Sequence, residues 1–375
     1  MKIKSLALMA MTVVAATPSV GQTPFYQGKV LTLLINYGVG GNADTEARVY
    51  QRHLAKHIPG KPDIIIQNVP GAGGFTAMNI LGLGVNIKPD GLTAGYFTTS
   101  AIGPLIEDPA LKVKMSDFAI IGGARGWNMV YARRDIVDGG LEKPEDLITA
   151  KSVFLAGYSR SSSHDTRLRL ALEIFNMRYT VVTGFPGTAQ INKAMLQNEI
   201  NLTGSSLPGY MTQVIPQIMQ TGVGVPLFQY PVIGKDGKPA GNAALEKFGL
   251  ETMDRIYARA FGMAPSGPKW DALLMMSDIG TQMQRGFMLP RTAPKGAVES
   301  LRAGFVGLMK DEGFIDDYKK VTSEEPDLVR GEDLLPLFER IGRVDPAIKN
   351  VLRESIGNQK PQFSKAPFSF FCTIS

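Results

Sequence analysis

The chain has 375 residues and a formal net charge of +6, with 44% hydrophobic and 20% charged residues. That balance is ordinary for a globular protein, and no basic block accompanies the charge, so no nucleic-acid partner is expected. A single cysteine, Cys372, rules out an internal disulfide, and the length suits two hydrophobic cores.

The opening MKIK, an apolar stretch over 5–16 and the small residues Ser19, Val20 and Gly21 read as a signal peptide over 1–21. Its apolar core is shorter than the roughly 18 to 20 residues that a membrane-spanning helix needs. The mature protein is therefore expected to be soluble in the periplasm, with a charge of about +4 once Lys2 and Lys4 are removed.

Residues 31–35 (LTLLI) predict a buried strand, and Gly38, Gly40 and Gly41 a tight turn with its N–H groups outward. Asn42 predicts an N-cap, and Ala43, Ala47, Tyr50 and Leu54 the apolar face of a helix. A turn of this kind at a helix N-terminus binds anions. The segment also satisfies the dinucleotide pattern GxGxxA through Gly38, Gly40 and Ala43. The acidic residue that would hold a ribose about 20 residues later is absent, however, since the next strand ends Gln67-Asn68. An exported Rossmann-like enzyme is thus only an alternative, and no cofactor is expected. Asp44 has two readings: it accepts the N–H groups of its own helix, or it faces the ligand. His53 and His57 have the i, i+4 spacing of metal ligands, but no third ligand accompanies them, and a solvated helix surface is expected.

The plan repeats downstream. A strand over 63–69 leads into Pro70-Gly71-Ala72-Gly73-Gly74 and a helix through Leu81, and a strand over 92–97 ends in Thr98, Thr99 and Ser100. Strands over 129–133 and 152–158 follow, then a polar loop (SRSSSH, 159–164) opening a helix that carries Leu168, Leu172 and Phe175. A strand over 179–185, a turn at Pro186-Gly187-Thr188, a helix over 189–198 and a strand over 200–205 complete the series. Met129, Met177 and Met195 fall on apolar faces and read as core. Ser163, His164 and Asp165 are adjacent in sequence, which prevents the chain of contacts a hydrolytic triad needs. Alternating strands and helices predict an α/β fold in two lobes, with mostly parallel sheets and a ligand cleft where their strand ends meet. Lobe 1 is expected from 23–125 plus 226–360, lobe 2 from 126–225, and a poorly ordered tail over 361–375. The stretch 230–285 carries no readable role.

Several of these loops, in order, match one family. Gly40-Gly41-Asn42-Ala43-Asp44 with Arg48, the Asn68 to Gly74 loop, Ser161 to His164, the Gly184 to Thr188 turn and the segment 290–295 ahead of a helix over 298–309 resemble the periplasmic solute-binding receptors of tripartite tricarboxylate transporters, the Bug or TctC family. The resemblance covers about 25–225 and 286–320. It implies a Venus-flytrap fold, a monomer without enzymatic activity, a small organic carboxylate as ligand and the membrane components of a transporter as partners. A receptor that presents its ligand to a sensor kinase would use the same site. Carried to this sequence, the resemblance places Gly40, Gly41, Asp44, Gly73, Thr99, Ser162 and Thr188 near the ligand. Tyr37, Gly74, Ser100, Ser163, Phe185 and Gly187, from the same loops and strand ends, complete the candidate set. Phe185 stands where the family has Tyr, with no Lys after it, and Val69 replaces an Arg, so a more apolar ligand is expected.

Overall fold

The computed structural model describes residues 23–99, 102–159 and 162–357; the expected signal peptide, Ser100, Ser161 and the tail lie outside them. Four strands open the first sheet: β1 (Val30–Ile35), β2 (Asp63–Asn68), β3 (Thr93–Thr98) and β4 (Phe118–Ala124). The chain then builds a second sheet from β5 (Asn128–Arg133), β6 (Val153–Gly157), β7 (Tyr179–Thr183), β8 (Leu202–Ser206) and β9 (Gly224–Gln229). After a small hairpin of β10 (Val232–Ile233) and β11 (Pro239–Ala240), it returns to the first sheet with β12 (Arg285–Pro290) and β13 (Leu328–Arg330). The strand orders are β13-β4-β12-β3-β1-β2 and β7-β6-β8-β5-β9.

β1 shows why the apolar runs become central strands. Leu31, Leu33 and Ile35 pack on one side with Ala47, Tyr50 and Leu54 of α1 (Asn42–Leu54), while Leu34 packs on the other with Phe75 and Met78 of α2 (Phe75–Leu83). A strand covered on both faces needs no polar alternation. β1 pairs in parallel with β2 and β3, and β6 with β7 and β8. Both sheets are nevertheless mixed, where the sequence led us to expect mostly parallel ones. β12 runs antiparallel between β3 and β4, and β5 runs antiparallel between β8 and β9. These are strands at which the chain enters a sheet from the other lobe, and a strand's side-chain pattern carries no information about its direction.

The stretch after 225 also departs from expectation. β9 runs to Gln229, whose side chain donates to the carbonyls of Asn242 and Leu250 and whose backbone bridges to Thr252. Met253 and Ile256 of the helix Met253–Phe261 join Phe228 in one apolar cluster, and Leu245 and Leu250 join Met129 and Tyr131 in another. Residues 226–261 thus pack on the second sheet, where they were expected in the first lobe. The helix Pro268–Gln282 then packs against α4 (Ser163–Ile174) and leads into β12. Another helix, Pro346–Gly357, packs against α3 (Ile102–Ile106), α4 and Pro268–Gln282, and so touches both lobes. No helix among the described residues is long and apolar enough to cross a membrane.

His53 and His57 are not a solvated surface. His57 Nε2 lies 2.9 Å from Asp311 Oδ2, Lys56 Nζ lies 2.6 Å from the same oxygen, and His53 Nε2 lies 3.0 Å from Asp317 Oδ2, joining α1 to the helix Glu312–Thr322. No group of three metal-ligating side chains occurs among the described residues. Burial acts to raise the Asp311 carboxyl, but hydrogen bonds from Lys56 and His57 outweigh it and hold the carboxyl well below the usual range. A depressed folded-state value contributes stability above the unfolded value and loses it on acidification. Asp311→Asn, which keeps the cap to the Gly313 N–H, should lower urea-unfolding stability by about 1 to 3 kcal/mol at neutral pH. The gap to the wild type should close below about pH 4.

Candidate functional site

A cavity of about 190 Å³ lies between the sheets, at the carboxyl ends of β1, β3, β6 and β8. Ligands of open α/β sheets bind at such strand ends. The first lobe lines it with the turn after β1, Tyr37 to Ala43, and with Thr98 and Thr99. The second lobe contributes Asn128, Tyr158, Ser162, Ser163, His164, Arg167, the residues from Pro186 to Gln190, Ser205 and Ser206. Gly280, Gln284 and Arg285, from the segment that returns to the first sheet, complete the lining.

Three helix N-termini converge here. α1 begins after Gly41, α4 after Ser162, and α5 (Thr188–Leu196) after Gly187. The first-turn N–H groups of a helix have no intrahelical acceptor, and the helix dipole makes that end positive. Ser162 Oγ caps α4 by accepting from the Asp165 N–H at 3.0 Å, whereas α1 and α5 are capped by glycines that have no side chain to offer. The lining carries two arginines and one histidine, and no carboxylate among the described residues.

The two arginines differ. Arg285 Nη2 lies 2.6 Å from Glu46 Oε1, both side chains being buried, and Tyr96 Oη donates to Glu46 Oε2 at 3.2 Å. Burial acts to lower the Arg285 guanidinium, but Glu46 beside it keeps it charged. Arg167 is 5% exposed; its Nε donates to the Ser163 carbonyl at 3.3 Å, and its guanidinium lies 5.0 Å from the centre of the Tyr230 ring. Its Nη1 is buried without a hydrogen-bond partner, as are His164 Nε2, Ser159 Oγ and Ser205 Oγ. Burial and the neighbouring Arg167 push His164 down to about 3, so its ring is neutral above pH 5. The adjacent Asp165 turns away from His164. It accepts from Ser162 Oγ at 2.6 Å and from the Tyr158 N–H at 2.9 Å, while His164 Nε2 has no hydrogen-bond partner among the described residues.

The lobes touch across the cavity. Asn42, expected as an N-cap, is the first residue of α1; its Nδ2 donates to Ser206 Oγ at 3.3 Å and its Oδ1 accepts from Gln213 at 2.9 Å. A Cβ on Gly209 would lie 2.0 Å from Asn42 Nδ2, so this approach requires glycine. The Tyr37 and Tyr158 rings meet edge-on at 5.9 Å.

The expected site residues divide accordingly. Tyr37, Gly40, Gly41, Thr99, Ser162, Ser163, Gly187 and Thr188 all line the cavity. Asp44 does not: its Oδ2 accepts the Gly40 N–H at 2.9 Å, and both its oxygens bind Arg48 at 3.0 Å. Burial acts to raise its carboxyl, but these bonds hold it below the ordinary range. Asp44 thus serves its own turn and occupies a donor that an anion would otherwise use. Gly73 and Gly74 are also outside the lining. The Gly73 carbonyl accepts from Tyr37 Oη at 3.3 Å, and a Cβ on Gly73, whose φ is +65°, would lie 2.6 Å from Ser159 Oγ. This second glycine loop docks on the other lobe, against Ser159 and Ser162, and does not line the cavity. Phe185 is not in the cavity lining; it is half-buried against the apolar cluster that includes Ile191 and Met195.

Sequence reasoning missed Arg167, Arg285, Gln284, Asn128, Ser205 and Ser206. For Arg167 a signal existed, since Asp165, Arg167 and Arg169 alternate with Thr166, Leu168 and Leu170 in a helix that has no continuous polar face.

No family model and no curated protein matches the sequence. Among solved structures the chain is similar to the periplasmic binding protein BugD, with a TM-score of 0.63 and 16% identity over 88% of this chain and 98% of that one. It is similar also to MatC from Rhodopseudomonas palustris with bound malate, at 0.58 and 17% over 88% and 97%. A third, a Rhodopseudomonas palustris protein solved with adipate, gives 0.63 and 17% over 88% and 98%. The chain has their fold.

Two predictions concern the groups around the cavity. Glu46→Gln leaves the buried Arg285 without its countercharge and should cost about 3 to 5 kcal/mol in urea unfolding, while replacing both residues with Met should recover most of the loss. Burial pushes the Asp165 carboxyl up to about 6 against the bonds it accepts. Between the unfolded value near 4 and that value, the folded state keeps a proton that the unfolded chain gives up, so stability falls as pH rises. Unfolding of Asp165→Asn, measured from pH 4 to 6, should gain on the wild type by about 1 kcal/mol per pH unit.

Proposed function

We propose that the protein is a periplasmic solute-binding receptor of the tripartite tricarboxylate transporter type. Its two lobes close over a small organic carboxylate, without chemistry on it, and the loaded monomer delivers the ligand to the membrane components. The observation that carries this reading is the cavity's charge. Arg167, which makes no ion pair among the described residues, a neutral histidine and three helix N-termini face a space with no carboxylate among its described lining residues, while the second arginine, Arg285, is paired with Glu46. Such a lining stabilises an anion and has none in place. The fold supports the reading too, since proteins of the same fold carry malate or adipate. N–H donors at the α1, α4 and α5 ends, Tyr37, Thr99, Ser162, Ser163 and Thr188 would hold the ligand, with Asp44, Gly73 and Gly74 shaping the walls behind them.

A few charge-assisted hydrogen bonds at roughly 1.5 to 3 kcal/mol each suffice for micromolar binding after association costs. A thermal-shift screen of the purified protein against aliphatic mono- and dicarboxylates, aromatic acids and acidic amino acids should give one class that raises the melting temperature by several degrees at about 100 times Kd. A response to NAD with none to any carboxylate would overturn the proposal.

A further inference from the structure

Resting on the receptor reading, we propose that Arg167 selects ligands carrying a second anionic group, so that the protein discriminates dianionic acids from monocarboxylates of the same length. Arg167 belongs to the second lobe, lines the cavity and is 95% buried, being 5% exposed. Its Nη1 has no hydrogen-bond partner, and its Nε is held by a neutral carbonyl. No aspartate or glutamate forms an ion pair with it among the described residues, in contrast to Arg285, whose charge Glu46 cancels within the protein. Burying a guanidinium without a countercharge is costly, and one fixed against an aromatic face and aimed into a cavity is satisfied at least cost by an anion that arrives from outside.

The side chains around it fit that role. His164 Nε2 and Ser205 Oγ line the same cavity, are buried and have no partner. Gly280 lies beside the guanidinium, a Cβ there being in ordinary contact with Nη1 at 3.4 Å. The helix N-termini of α1 and α5 supply N–H donors for one carboxylate without any contribution from Arg167. A monocarboxylate would leave either those donors or the Arg167 charge unsatisfied; a dianion satisfies both.

The test is calorimetry of the full mature chain with succinate and adipate, set against their monomethyl esters and against butyrate and hexanoate. The wild type should bind the diacids at least about tenfold more tightly than the matched mono-anions. Arg167→Gln should lower diacid affinity by about 10- to 100-fold and change mono-anion affinity by no more than about threefold. Equal binding of diacid and monoester by the wild type overturns the inference, and needs no variant to fold. An equal loss for both ligand classes in Arg167→Gln overturns it as well, because it marks a structural arginine. Indifference to the second charge overturns only this inference, as does binding of none of these acids by a wild type that another carboxylate stabilises in the thermal-shift screen; a wild type that responds to no carboxylate at all overturns the receptor reading together with it.

Discussion

The ion pair of Glu46 and Arg285 is the contact on which the site is assembled. Arg285 is the first residue of β12, where the chain re-enters the first lobe after its long excursion, and Glu46 stands in the second turn of α1. Joining them fixes the helix whose N-terminus faces the cavity to the strand whose first residue lines it. The pair is fully inside the protein, so desolvation offsets much of its attraction, and it contributes position more than net stability. Around it the hydroxyl of Tyr96 and the rings of Tyr50, Tyr318 and Phe314 fill the space between α1 and the sheet.

That arrangement gives the cavity two cations with different standing. One is cancelled by the protein and acts as scaffold; the other is stripped of water and left uncancelled by its lobe. Helix dipoles add to the same sign of potential, and those of the second lobe contribute where the two lobes approach each other. Asn42 is the residue through which that approach is registered, because it belongs to the helix that offers N–H donors and also bonds Ser206 and Gln213 across the gap. Positive potential and lobe contact are thereby built from the same first turn.

Much of the fold was legible because it is locally encoded. Apolar runs of strand length followed by glycine turns and helical spacing gave β1 with α1, β2 with α2, and the units around α4 and α5, since those patterns follow from periodicities that neighbouring residues carry themselves. Membership of a sheet is a different matter. Residues 226–261 belong to the second lobe through Gln229, Leu245 and Met253, contacts that no local pattern announces. In the site, the glycine loop at 38–41 was readable as a turn opening a helix, and it lines the cavity, but the loop at 70–74 has the same composition and spends it on docking to Ser159. Asp44 was undecidable from sequence because a first-turn carboxylate suits both a helix and a ligand; geometry gives it to Gly40 and Arg48. Arg167 is hard to single out because an arginine in a helix is ordinarily a surface residue; the lack of a continuous polar face in its helix is the one sign in the sequence, and its burial is what makes it exceptional.

The order of strands in the first sheet has a consequence for how the protein is made. β12 lies between β3 and β4, yet it is synthesised some 160 residues after β4 ends, once the whole second sheet has been completed. The lobe that begins first therefore finishes last. Until β12 arrives, β3 and β4 each present an unpaired edge, a state prone to association with other chains, and the nascent protein is exposed to that hazard for as long as the second lobe takes to be made.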